Sequence, residues 1–65
     1  MDINRFDNES NTVYNFRQNF VEKYKKDNKD EDINNIIKYS KIAANIKFKG
    51  CTYDESIHHK LKGYL

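Results

Sequence analysis

Ile33-Asn34-Asn35-Ile36-Ile37-Lys38-Tyr39-Ser40-Lys41-Ile42-Ala43-Ala44-Asn45-Ile46-Lys47-Phe48 carries more apolar side chains than a surface helix of this length needs. Placed at about 100° per residue, Ile33, Ile36, Ile37, Tyr39, Ile42, Ala43, Ala44, Ile46 and Phe48 spread over roughly two-thirds of the circumference, well beyond the ~100° stripe of an ordinary amphipathic helix. Such a helix needs cover on two sides. The remaining arc holds Asn34, Lys38, Lys41 and Asn45 as one narrow polar stripe.

On the amino-terminal side, Val13, Phe16, Phe20 and Tyr24 recur at steps of three, four and four, with Tyr14 and Val21 flanking them and Asn15, Gln18, Glu22 and Lys26 opposite. That spacing predicts an amphipathic first helix starting at Ser10, Asn11 or Thr12, whose short polar side chains suit an N-cap. The run 25–32, Lys25-Lys26-Asp27-Asn28-Lys29-Asp30-Glu31-Asp32, reads as a helix connection, with lysines at one dipole's negative end and acids at the next dipole's positive end. Asn28 suits a left-handed stop, and Asn28 or Asp30 a second cap. On the carboxyl side Gly50 is the expected stop of the central helix. Thr52 and Glu55 form a T-x-x-E capping box, predicting a third helix from residue 53 to about 63, with Tyr53, Ile57, Leu61 and Tyr64 on one face. The fold class is therefore all-α: a small three-helix bundle over residues 11–65, preceded by a short, loosely ordered polar arm over residues 1–10 that can fold back through Ile3 and Phe6.

A chain of 65 residues is one domain at most and buries only about 60% of its unfolded surface, so partners matter to its stability. One cysteine, Cys51, provides no disulfide framework and fits a reducing compartment. The first residues carry no apolar signal segment, and no run approaches the ~20 apolar residues of a membrane span. The expectation is a soluble cytoplasmic protein. The weight of Lys, Asn, Ile, Tyr and Phe suggests an AT-rich genome, bacterial, protist, phage or viral; in the viral case the location is the host-cell cytoplasm or the virion.

The net charge of +2 conceals an asymmetry, because residues 1–37 hold six Lys/Arg against eight Asp/Glu and residues 38–65 hold six Lys against two acids. The second half forms a modest basic lobe. Lysines and asparagines at 34, 38, 41, 45 and 49 could meet phosphates and base edges, which makes nucleic-acid binding the alternative function. A helix-turn-helix pivoting on Gly50 is disfavoured, since Ile46, Lys49 and Ser56 stand where that motif wants a small and two apolar residues, and Asp54 and Glu55 would open the recognition helix.

His58, His59 and Cys51 do not make a metal site: neighbouring helix positions diverge by about 100° and no further spaced ligand exists. Asp54–His58 and Glu55–His59 are instead i,i+4 pairs. A Cys51 nucleophile would need a base and a concave pocket that three short helices rarely enclose. No catalytic, cofactor or metal residue is assigned, and the chain is expected to be no enzyme. The favoured function is a protein-interaction module, a small regulator, inhibitor or minor subunit of an assembly. It would use the apolar surplus of the central helix and amphipathic tyrosines: Tyr39, Ile42, Ile46, Tyr14 and Tyr64. Its partner is another protein or a second copy of the chain.

Overall fold

A computed structural model describes residues 3–65 and contains three helices: α1 (Asn11–Asp27), α2 (Ile33–Lys49) and α3 (Glu55–Leu61), the last running into a single 3₁₀ turn over Lys62–Tyr64. Residues 1 and 2 of the amino-terminal arm lie outside the described residues. The all-α bundle read from periodicity is the fold observed.

The helix ends show which local signals the chain uses. Ser10 caps α1, its hydroxyl accepting from the Val13 N–H at 3.2 Å. Gly50 ends α2 at φ 67°, in the left-handed region, and the Cys51 N–H returns to the Asn45 carbonyl at 3.1 Å. Asn28 departs from expectation: its φ is −133°, and it closes α1 by donating its side-chain amide to the Tyr24 carbonyl at 3.0 Å. Neither Asn28 nor Asp30 caps α2. A turn closed by the Glu31 N–H on the Asn28 carbonyl carries the chain past both, and Asp32 accepts from the Asn34 N–H at 2.8 Å. The expected Thr52–Glu55 box is also displaced. Asp54 caps α3 by accepting from the Ile57 N–H, and the Tyr53 N–H before it is held by His58 Nε2 at 2.9 Å; α3 starts two residues later than the box implied.

The core joins Ile3, Phe20, Val21, Tyr24, Ile36, Ala43 and Leu61. α2 turns Ile36, Ser40, Ala43 and Ala44 inward, and three of these four are small, which lets its backbone approach α1 closely. A run of rings carries the packing across the bundle: Phe48 meets Phe16 edge-on at 5.5 Å, Phe20 stacks on Tyr24 at 5.4 Å, and Tyr24 touches both Tyr39 and Tyr64.

The polar lead-in is anchored rather than loose. Ile3 is buried in the core, and its carbonyl accepts from the Tyr14 hydroxyl at 2.6 Å. The anchor's electrostatic centre is Arg17, which is wholly buried. Its Nε and Nη2 donate to the two Glu9 carboxylate oxygens at 2.6 and 2.8 Å, Nη2 also reaches the Asn4 carbonyl at 2.8 Å, and Nη1 reaches the buried Ser40 hydroxyl at 3.4 Å. The guanidinium carbon lies 4.2 Å from the Phe6 ring centre. This forked, charge-assisted geometry satisfies a cation that would otherwise be costly to remove from water, and it ties arm, α1 and α2 at one point.

Candidate protein-docking surface

The five interface residues read from the sequence do not form one patch. Tyr14 is half-buried beside the arm, with the Arg5 guanidinium over its ring at 4.6 Å. Tyr64 lies across Phe20 and Tyr24 and donates its hydroxyl to Asp27 Oδ2 at 2.6 Å, a bond that holds its phenol proton and raises its pKa above the ordinary 10.0. Tyr39, Ile42 and Ile46 share one flank of α2. All three are half-buried against the core, and the Lys60 ammonium covers the Tyr39 ring at 4.4 Å while donating to its hydroxyl at 3.2 Å. On the helical wheel Ile42 stands about 130° from the direction midway between the buried Ser40 and Ala43. On either side of it Lys60 of α3 reaches Tyr39 and Tyr53 reaches Asn45, so the seam between α2, α3 and the segment joining them runs along this flank.

Tyr53, which the sequence placed only on α3, borders that seam. Its backbone N–H is held by His58 and its hydroxyl accepts from the Asn45 amide at 3.2 Å, so α3 holds its backbone and α2 its ring. His58 is consequently paired with a backbone group and not with Asp54, whose carboxylate serves the cap. Among the described residues no group of three or more His, Cys, Asp or Glu side chains could hold a metal ion, and no helix is long and apolar enough to cross a membrane.

The lysine–asparagine stripe is divided by the fold. Asn34 and Lys38 are exposed, but Asn45 is engaged with Tyr53 and the Lys41 ammonium lies 5.0 Å from the Phe6 ring centre. Lys41 and Lys49 line a groove together with Asp7 and Glu9, which brings acids of the arm beside the stripe.

Among the described residues, the large apolar side chains left most open to solvent are Phe6, Phe48 and Leu65, each about two-fifths exposed. Among the described residues every buried polar side chain is satisfied. The pattern of the XRN-Two Binding Domain, XTBD, matches residues 1–63 of the sequence. The chain belongs to the XTBD family. No curated protein and no solved structure matches it. XTBD is a protein-binding domain, which makes this chain a protein-interaction module. Within this XTBD, Arg17 and Ser40 are the residues sequence reasoning passed over. The signal was present, since Val13, Phe20, Val21 and Tyr24, the residues sharing Arg17's face at steps of three, four and seven, are all apolar or aromatic.

Proposed function

We propose that the chain is a non-catalytic adaptor that docks on the XRN-Two exonuclease through the α2 flank bearing Tyr39, Ile42 and Ile46, with Tyr53 at its edge. The family's name supplies the partner. The observation that supports the surface is that three large apolar or aromatic side chains along one helix flank stay partly accessible, next to a tyrosine whose hydroxyl is held by Asn45. A rigid aromatic beside aliphatic side chains is the composition of interface hot spots, because it gives large contact area at small entropic cost. The lysine–asparagine stripe is, in this reading, a solvated face, and Tyr14 and Tyr64 are structural.

Capture of purified XRN-Two exonuclease by the immobilised chain tests this. Ile42→Ser and Tyr39→Ala should each weaken capture by about tenfold or more, as removal of a central contact does, while far-UV circular dichroism stays that of the parent. Lys38→Glu should leave capture unchanged. Capture that survives both flank substitutions in folded protein would refute the assignment of the surface, and absence of capture by the unaltered chain would refute the partner.

A further inference from the structure

Tyr53, at the edge of the flank assigned to the exonuclease, stands in the stretch 50–54 between α2 and α3, which has no regular structure. Asn45 holds its hydroxyl. Its backbone N–H donates to the Nε2 atom of His58, five residues on, at 2.9 Å. A partly buried backbone donor needs an acceptor, and the adjacent carboxylate, Asp54, is already engaged by the Ile57 N–H and the Ser56 hydroxyl.

This bond dictates the state of the ring. A nitrogen that accepts carries no proton, so His58 is the neutral imidazole with its proton on Nδ1. The imidazolium has donors on both nitrogens and nothing to offer an N–H. On protonation Nε2–H would point at the Tyr53 N–H, and the two must part, leaving Tyr53 held only through its ring.

The groups around His58 are mixed in charge. On its own helix Asp54 lies one turn before it, and Glu55, His59 and Lys62, the last in the terminal turn, line one surface hollow with it. Lys60 is turned away to Tyr39. The linking segment brings the exposed Cys51 thiol. From α2 the group that reaches this segment is the neutral Asn45, while Lys41 and Lys49 line the groove with Asp7 and Glu9 of the arm. His59 is of the type that changes charge over the same range as His58, about pH 5–8, and is therefore the titration to control for.

We propose that neutral His58 is the positioning residue that sets Tyr53 against the exonuclease, so that docking weakens as the pH falls and the ring protonates. The docking half rests on the α2 flank being the exonuclease's seat; the His58–Tyr53 bond can be read in the free chain. In the isotope-labelled chain at about pH 7.5, long-range proton–nitrogen correlation should show the His58 proton on Nδ1 and Nε2 bare. The Tyr53 amide signal should follow the His58 titration more strongly than that of Thr52. A ring protonated on Nε2, or a Tyr53 amide indifferent to the titration, would overturn the positioning role.

Capture of purified XRN-Two exonuclease by the immobilised chain is then compared at about pH 7.5 and about pH 5.5. Toward the lower value the unaltered chain should lose about two- to tenfold more affinity than His58→Gln, the worth of one hydrogen bond, because the Gln oxygen accepts in both conditions. The ratio to His58→Gln removes any response of the exonuclease itself. His59→Gln should follow the unaltered chain. His58→Ala should bind weakly at both values, and His58→Gln should restore most of that loss at the higher one, with circular dichroism unchanged. Equal pH profiles for the unaltered chain and His58→Gln, a profile flattened by His59→Gln instead, or no difference between Gln and Ala would each overturn the proposal. Absence of capture by the unaltered chain at both values would overturn the exonuclease reading and the docking half with it, while the ring and amide signals still decide whether His58 holds Tyr53.

Discussion

Replacing Glu9 by Ala removes the carboxylate that both Arg17 Nε and Nη2 grip, leaving a wholly buried guanidinium with only the Asn4 carbonyl and the distant Ser40 hydroxyl as partners. Breaking a buried pair by deleting one member typically costs ~3–5 kcal/mol, because the survivor keeps its desolvation penalty. The Glu9 side chain is only 2% exposed where it meets Arg17, so the expected loss is no smaller than the low end of that range, about 3 kcal/mol. Domains of this size have roughly 3–10 kcal/mol of stability in total. Glu9→Ala should therefore remove a third or more of it and lower Tm by roughly 12–24 °C, measured by thermal and urea unfolding under circular dichroism.

Two companions make the reasoning refutable. Removing the charge as well, in Glu9→Ala combined with Arg17→Met, should cost less than the two single losses added together, because no orphaned cation remains. Glu9→Gln should fall between wild type and Glu9→Ala, and it supplies the pH test. The Arg17 hydrogen bond, aided by the Phe6 N–H and opposed by partial burial, holds the Glu9 carboxyl below its ordinary 4.5. A carboxyl depressed on folding adds stability that is complete above its unfolded value and disappears as pH falls through the folded one. Wild type should thus lose stability more steeply than Glu9→Gln below about pH 4.5. A Glu9→Ala stability within about 0.5 kcal/mol of wild type, the range of neutral surface changes, or an additive double variant, would show that the buried fork contributes nothing.

Other substitutions probe separate parts of the fold. Asp54→Ala should cost about 1 kcal/mol by uncapping α3, whereas Thr52→Ala should be neutral; the reverse order in urea titrations would restore the T-x-x-E box. Gly50→Ala meets no neighbouring atom, so any loss must come from φ 67° alone, and about 1 kcal/mol is expected from equilibrium unfolding. Ala43→Leu adds bulk where α2 approaches α1 with no exposed surface, and should destabilise by about 1–3 kcal/mol. An unchanged midpoint there would mean the helices are not in close contact.

The apolar surplus of residues 33–48 was legible because helical periodicity is a property of neighbouring residues, and the same holds for the Ser10 cap and the Gly50 stop. The flank of Tyr39, Ile42 and Ile46 could be read in the same way, since side chains within one helix fix their own relative directions. Tyr14 and Tyr64, by contrast, were grouped with that flank on residue type, and only packing against Ile3 in one case and Phe20 in the other separates them from it.

What the chain alone determined, then, is three helices, their breaks and the faces each must hide, because these follow from local spacing and from residues able to cap or reverse a helix. The tertiary structure decided that Arg17 is interior, that the arm is fastened to it through Glu9, and which rings stay open. Those outcomes depend on groups eight to twenty-three residues apart meeting in space. A buried cation is tolerable only when distant partners converge on it, and convergence has no period.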